Sequence, residues 1–135
     1  MSEMILFYSY SGNTKKIAID TAAKYRLTTC EVVDEVKPGK FKAYTKGCYR
    51  AIKGVVTPIK PIEVNFAEFE NVLVFAPIWA GSLAPAMNAA LAKLPKGTKV
   101  SLRLVSGSGK SNKAKITERI KTLGLEIIGY EDIKG

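Results

Sequence analysis

The sequence predicts a single α/β domain in which a parallel sheet lies between two layers of helices. Five short segments with strand character alternate along the chain with segments of helical periodicity. Strands that are joined by helices form parallel sheets through right-handed crossovers, so the helices cover both faces. The length of 135 residues suits one domain, and no repeat or low-complexity segment interrupts the alternation.

The first half of the chain contains two predicted strands. Residues 4–8, MILFY, form an uninterrupted apolar run that is typical of a strand buried on both faces. Residues 28–33, TTCEVV, are the second strand. The helix between them has an apolar stripe of Ile17, Ala18, Ala22 and Tyr25. After KPGK we expect a basic helix with an inner face of Tyr44, Cys48, Ala51, Ile52 and Val55.

The second half contains three predicted strands: residues 71–76, 98–105 and 125–133. Residues 54–66 contain two prolines and are predicted to be a loop or extended connection. PIWAGSLAP is predicted to be a loop, and the next helix turns Met87, Ala90, Leu91 and Leu94 inward. The last helix opens with SGSGKS, ends at Gly124, and has a core face of Ile116, Ile120 and Leu123.

Residue composition limits the chemistry that side chains alone can perform. The chain has no histidine, which excludes Ser-His-Asp and Cys-His catalysis and histidine-bound metals. Cys30 and Cys48 are too few for a cysteine metal site and are not a CxxC pair, so we expect two reduced thiols. No catalytic side chain and no metal ligand is predicted. Redox chemistry would depend on a cofactor.

The formal charge is +9, and four basic residues recur at helical spacing: Lys42, Lys46, Arg50 and Lys53. This stripe could dock an acidic protein or a polyanion, or it could be a solvated helix face. No apolar run approaches the roughly 20 residues that span a bilayer. The first residues include Glu3 instead of a basic segment, so no signal peptide is predicted. We expect a cytoplasmic protein without membrane contact.

Three loops follow strands of this predicted sheet, at residues 9–14, 77–82 and 106–111. With the strand order 2-1-3-4-5, the first and third strands flank the point where the order reverses. Ligands of open parallel sheets bind there, outside the carboxyl ends of the strands. The sequence therefore places a site at this edge.

The loop SGSGKS is a poor candidate for a phosphate site. It ends as a Walker loop does, but Leu104 stands where such a loop needs its first glycine. As a dinucleotide fingerprint it also fails, because Asn112 replaces the third glycine. A turn followed by an N-cap near Asn112 accounts for its composition.

SYSGNT, between the first strand and the first helix, is the better candidate. Backbone N–H groups converge at such a position, and the helix dipole favours an anion. Hydroxyls from Ser9, Ser11 and Thr14 and the amide of Asn13 add donors, and Gly12 allows close approach. An ordinary helix cap is the alternative, although one cap does not need six consecutive small or polar residues.

These motifs resemble those of the flavodoxin family. YSYSGNTKKIA matches the loop by which flavodoxins hold the phosphate of FMN, PIWAGS resembles their second loop, and SGSGKS stands where their third begins. The resemblance implies a flavodoxin-like three-layer sandwich with FMN as cofactor. It assigns the phosphate to Ser9, Tyr10, Ser11, Gly12, Asn13 and Thr14. The ring would contact Pro77, Ile78, Trp79, Ala80 and Gly81, with Trp79 stacked on it, and its pyrimidine edge would meet Ser106, Gly107, Ser108 and Gly109.

Three departures from the family lead to further expectations. The third loop has no aromatic residue and no acid, while Lys110 and Lys113 lie nearby, so the reduced flavin should have a less negative potential than in a low-potential flavodoxin. A basic protein would need an acidic redox partner. The sequence shows no final helix after the fifth strand, so we expect either a homodimer that covers an apolar sheet face or a rearranged edge.

The leading interpretation is thus an FMN-binding flavodoxin-like redox protein that carries electrons to or from a protein partner. An NAD(P)H-dependent FMN or quinone-type reductase on the same fold is the alternative, although no nicotinamide motif is visible. A basic polyanion-binding module is a third interpretation. It lacks interleaved exposed aromatics and any nucleic-acid motif, so no specific nucleic acid is expected.

Overall fold

A computed structural model describes residues 3–35 and 59–135 of the chain. Among these residues the strands are β1 (Glu3–Tyr8), β2 (Thr28–Val32), β3 (Asn71–Trp79), β4 (Ser82–Leu83), β5 (Lys99–Ser106) and β6 (Glu126–Lys134). The helices are α1 (Asn13–Tyr25), α2 (Pro85–Leu91) and α3 (Lys113–Thr122), with a 3₁₀ turn at Phe66–Glu68.

The sheet has the order β2-β1-β3-β5-β6, and all of these neighbouring strands are parallel. This confirms the predicted five-stranded sheet, since the fourth and fifth predicted strands are β5 and β6. The short β4 is an addition that pairs antiparallel with the end of β3. In this order β1 and β3 are adjacent, with Phe7 opposite Phe75.

Two apolar clusters cover the two faces of the sheet. The larger cluster packs Leu6, Val74 and Leu102 beneath α2 and α3, whose Met87 and Ile120 are fully buried. The smaller cluster packs α1 against the opposite faces of β1 and β3, and its members are Ile5, Phe7, Ala18, Ala22, Leu73 and Phe75. Continuous apolar runs such as MILFY thus occur because successive side chains enter different cores.

Several predicted details are wrong. Tyr25 does not belong to the inward stripe of α1, since it is 60% exposed at the end of the helix. Residues 77–79 continue β3, and residues 82–83 form β4, so PIWAGSLAP is mostly a hairpin. Leu94 and Leu123 pack inward but lie beyond the ends of α2 and α3.

The predicted basic helix, its inner face, Cys48 and the stripe of four basic residues lie outside the described residues. Cys30 is a free, half-buried thiol on β2, and burial raises its pKa. In the described part of the chain, no helix combines the length and the apolar character needed to cross a bilayer.

The α1 side of β5 and β6 has polar residues in its middle and the apolar pair Val105 and Ile133 toward the carboxyl ends of the strands. Arg103 on β5 lies opposite Glu131 on β6, and their charged groups are 3.6 Å apart. Ser101 lies opposite Gly129, where an added Cβ would be only 2.5 Å from the Ser101 Oγ. Part of this face is therefore polar, and part of it is apolar. The homodimer stays a prediction.

Candidate functional site

The three predicted site loops lie at one edge of the sheet. The first follows β1, the second is the turn between β3 and β4, and the third joins β5 to α3. Because β1, β3 and β5 are adjacent and parallel, their carboxyl ends meet at this edge. The structure therefore brings together segments that are nearly 100 residues apart in sequence.

The first loop prepares an anion site at the N-terminus of α1. Gly12 has a φ of 105°, and its N–H donates to the Ser9 Oγ at 3.0 Å. The left-handed conformation at Gly12 is one that side-chain-bearing residues rarely adopt. The helix begins at Asn13 without a side-chain cap and without an acidic residue in its first turn. Its first N–H groups can therefore donate to an external anion.

The second loop is a two-residue β-hairpin turn at Ala80 and Gly81. Trp79 lies opposite Ser82 in the ladder, and the φ values are 51° at Ala80 and 81° at Gly81. Two consecutive positive φ angles are those of a type I′ turn, which suits the twist of a hairpin. A left-handed alanine costs about 1 kcal/mol, so the turn is slightly strained.

Trp79 lies against two tyrosine rings that come from the end of β1 and the first loop. Its ring centroid is 6.4 Å from that of Tyr8 and 5.8 Å from that of Tyr10, both edge-on. Such edge-to-face arrangements are favourable and fix the orientation of the rings. Tyr10 thereby links the first loop to the second.

The hydroxyl of Tyr8 holds this aromatic cluster to the segment after β2. Tyr8 is only 3% exposed, and its hydroxyl donates to the Asp34 carboxylate at 2.5 Å. Burial raises the pKa of Tyr8 above its ordinary value, and the hydrogen bond and charge of Asp34 raise it further. Tyr8 therefore stays protonated and neutral throughout the ordinary pH range.

The third loop is attached to the second loop by a backbone hydrogen bond. The Asn112 N–H donates to the carbonyl of Gly81 at 2.7 Å. Within the third loop, the Lys110 N–H donates to the Ser106 Oγ at 3.1 Å, and Gly109 has a φ of 72°. The Asn112 side chain caps α3 by accepting from the Lys115 N–H, as predicted for this position.

A hydrogen-bonded group of three side chains fixes the other end of the third loop to β6. The Ser111 hydroxyl is 2.5 Å from the Tyr130 hydroxyl and donates to the Asp132 Oδ1 at 2.6 Å. Burial raises the pKa of Tyr130 and the charge of Asp132 adds to the rise, while the hydrogen bond with Ser111 acts in the opposite direction. The loop is thus held by its backbone and by its side chains.

The structure places the predicted residues of all three loops at this edge, with Pro77 and Ile78 in the last part of β3. Ring contacts join the first loop to the second, and the Gly81–Asn112 bond joins the second to the third. Sequence reasoning missed five residues that support the site: Tyr8, Asp34, Ser111, Tyr130 and Asp132. The one feature of the sequence that could have identified them is their position at the carboxyl ends of predicted strands or in the adjoining loops.

Comparison with solved structures identifies the architecture. A flavoprotein from Lactobacillus acidophilus NCFM, solved in complex with FMN, is 22% identical, with a TM-score of 0.77 and coverage of 96% of this chain and 91% of that chain. A putative flavoprotein from Bacteroides eggerthii DSM 20697 is 15% identical, with a TM-score of 0.79 and coverage of 96% and 86%. A flavodoxin from Streptococcus pneumoniae TIGR4 is 18% identical, with a TM-score of 0.52 and coverage of 99% and 85%.

These similarities show that the chain has a flavodoxin-like fold, as its sequence motifs predicted. No protein-family model and no curated protein matches the sequence.

Proposed function

We propose that this protein binds FMN and carries electrons to or from a protein partner, as a small flavodoxin-like redox protein. The observation that carries this proposal is the contact between Tyr10 and Trp79, which joins an anion cradle to a partly exposed aromatic ring. FMN has the matching two ends, a phosphate and a flat ring. The similar flavoprotein from Lactobacillus acidophilus was solved with FMN.

The first loop fits a phosphate group in its donor chemistry and in its shape. The uncapped N-terminus of α1 is flanked by hydroxyl and amide residues, of which Ser11 and Asn13 are exposed, Ser9 is partly exposed and Thr14 is buried. Among the described residues, and apart from Gly12 itself, its chain neighbours and the nearby backbone of α1, no atom lies within 4 Å of where a Gly12 Cβ would be, so the backbone is open on that side. Tyr10 extends the first loop toward Trp79.

The second and third loops fit a flat aromatic ring. Trp79 would stack on the ring, and the strained turn at Ala80 and Gly81 would present backbone N–H groups to it. Residues 106–109 would supply main-chain groups to its polar edge, with Gly107 and Ser108 exposed. The Gly81–Asn112 bond would keep these two loops in register.

Bound FMN would supply the ability to accept and return one or two electrons. The side chains of this protein hold the phosphate, orient the ring and exclude water from one of its faces. The candidate site therefore assigns no catalytic role to any residue. The absence of histidine from the whole sequence agrees with a cofactor-based chemistry.

Titration of the apoprotein with FMN tests this proposal. Trp79 is the only tryptophan, so stacking should quench the intrinsic fluorescence of the protein. At FMN concentrations of about 100 times Kd, the free energy of unfolding should rise by about 2.7 kcal/mol. Unchanged fluorescence together with an unchanged melting temperature would refute FMN binding.

A pair of variants tests the anion cradle. Ser11→Ala removes an exposed hydroxyl donor of the first loop and should weaken FMN binding about tenfold or more, since hydrogen bonds to charged groups contribute about 1.5–3 kcal/mol. Thr29→Ala removes an exposed hydroxyl on β2, opposite Ile5 in the ladder, and should leave the affinity unchanged. Equal affinities for the two variants would place the phosphate elsewhere.

An NAD(P)H-dependent FMN or quinone-type reductase is a second candidate. Residues 106–112 contain no aromatic side chain, which favours an open outer ring face that a nicotinamide could reach. Rapid bleaching of bound flavin by NADH or NADPH alone would select this function. An electron carrier would instead need a separate reductase protein.

A further inference from the structure

Charges are unevenly divided between the two edges of the sheet. The candidate site and the first helical turns after its loops occupy residues 9–16, 77–84 and 106–115. These segments contain five lysines and no acidic residue. The connections at the opposite edge are residues 25–28, 62–71, 92–99 and 122–126. They contain four basic and four acidic residues, so of these two sets of segments only the one at the site has a net positive charge.

Four acidic side chains near the carboxyl ends of β2 and β6 have partners within the protein. They are Glu31 with Lys15, Glu131 with Arg103, Asp34 with Tyr8, and Asp132 with Ser111. The first two form ion pairs, and the last two accept hydrogen bonds that hold the carboxylates in place. In the described part of the chain, none of these four side chains forms an ion pair with Lys110, Lys113 or Lys134.

Three exposed lysines gather around the third loop and form what we name the third-loop basic cluster. The Cβ of Lys134 lies 3.2 Å from the position of an added Cβ at Gly109, so Lys134 is beside Lys110. The Nζ of Lys113 lies 5.1 Å from the ring centroid of Tyr130 on β6. None of the three lysines forms an ion pair with an acidic residue in the described part of the chain. With Asp132 included, the cluster has a net charge of +2.

We propose that the third-loop basic cluster is a docking surface for an acidic partner protein. This inference rests on the proposed function, because the cluster borders the loop expected at the edge of the flavin ring. Complementary charges at the rim of an interface speed up association and select the partner. A small cluster suits the weak interfaces of less than about 1,200 Å² that electron-transfer encounters use.

An acidic protein fits the cluster better than a nucleic acid does. Proteins that bind duplex DNA tightly contact about 6–10 phosphates, whereas this cluster offers three lysines and no arginine. Stacking platforms for single strands need open aromatic faces, and Lys113 lies over the Tyr130 ring.

NMR titration with cytochrome b5, an acidic haem protein, tests the proposal, and cytochrome c serves as a basic counterpart. The triple variant Lys110→Glu, Lys113→Glu, Lys134→Glu should weaken cytochrome b5 binding about tenfold or more at low salt. Raising the salt from about 20 mM to about 200 mM should weaken binding to the unaltered protein as well. Cytochrome c should not bind to the unaltered protein.

A matched control reverses three exposed lysines away from the cluster, Lys93→Glu, Lys99→Glu and Lys121→Glu, and changes the net charge equally. It should retain cytochrome b5 binding within about twofold. Equal loss in both triple variants, or no binding of cytochrome b5 at low salt, overturns the proposal. The unaltered protein could instead bind random-sequence DNA more tightly than cytochrome b5, with only the cluster variant losing that binding. This result would assign the surface to polyanions and would also overturn the proposal.

The titration can be run with and without FMN, so the two proposals are tested separately. Binding of cytochrome b5 that the cluster variant loses, in a protein that takes up no FMN, would support the docking surface and refute the cofactor. FMN uptake without any cytochrome b5 binding would support the cofactor and refute the docking surface.

Discussion

The hydrogen bond between Tyr8 and Asp34 should stabilise both the fold and the orientation of Trp79. Tyr8→Phe keeps the ring that packs against Trp79 and removes only the hydroxyl. Hydrogen bonds to charged groups contribute about 1.5–3 kcal/mol. Since Asp34 is half-exposed and water can replace the lost donor, we expect the lower end of this range, about 1.5 kcal/mol. For a domain of this size, the melting temperature should fall by about 4–6 °C.

The pH dependence of the same variant gives an independent test. The pKa of Tyr8 is raised in the folded protein above the ordinary value of 10.0. Above that pH the unfolded chain loses a proton that the folded protein retains, so stability is full below pH 10 and falls as the pH rises. The slope approaches about 1.4 kcal/mol per pH unit for one group. In Tyr8→Phe the loss of stability above pH 10 should be smaller. The raised pKa of Tyr130 should account for part of the loss that remains.

Urea unfolding followed by circular dichroism at neutral and alkaline pH measures both effects. Tyr25→Phe is the matched control, because Tyr25 is 60% exposed at the end of α1. It should have the stability of the unaltered protein at both pH values. If Tyr8→Phe behaved like this control, the hydroxyl of Tyr8 would contribute nothing to stability, which would refute the proposed role of its hydrogen bond to Asp34.

Three other predictions concern the loops. Ala80→Gly should raise the free energy of unfolding by about 0.5 kcal/mol in thermal melts, because glycine adopts the left-handed conformation without strain; a loss of stability would contradict the strain. Ser111→Ala should weaken FMN binding several-fold, because it releases the third loop from β6. Ser108→Ala should weaken FMN binding less. Equal effects of the two substitutions would show that Ser111 does not position the loop. Lys110 and Lys113 should make the potential of the fully reduced flavin less negative, so Lys113→Gln should lower it in a redox titration; an unchanged potential would refute their influence.

The predicted homodimer is also open to measurement. Light scattering of the purified protein separates the homodimer from the rearranged edge, since a homodimer should give twice the monomer mass of 14.7 kDa. A monomer would agree with the polar surface that Arg103 and Glu131 form on the α1 side of the sheet.

Periodicity in the sequence was sufficient to predict the five strands of the parallel sheet, whereas the order 2-1-3-4-5 belonged to the flavodoxin-like fold that the loop motifs implied. The central strands β1 and β3 are apolar runs that reflect burial on both faces, whereas the edge strands β2 and β6 contain charged residues and are largely exposed. The ends of the elements were less predictable. Tyr25 fits the apolar period of α1, but the helix ends there and the ring projects into solvent. Local patterns do not reveal where the supporting core stops.

The loops of the candidate site were predictable, whereas the contacts that hold them were not. Tyr8 and Asp34 are 26 residues apart, and Ser111 is 19 residues from Tyr130. Contacts of this kind depend on which strands are neighbours and on strand register, and neither is encoded in the spacing of two residues. The β4 hairpin was missed for a related reason, since Ala80 is not a residue that favours its left-handed conformation.

The register shift in β6 determines which residues support the third loop. Val100 lies opposite Ile127, but Ser101 lies opposite Gly129, so Ile128 is an extra residue without a partner in the ladder. Such a bulge exchanges the two faces of every residue that follows it. Without the bulge, Ile128 would lie opposite Ser101 and Tyr130 opposite Arg103, which would turn Tyr130 toward α1 and away from Ser111. The extra residue in β6 is thus a condition for building this end of the crevice.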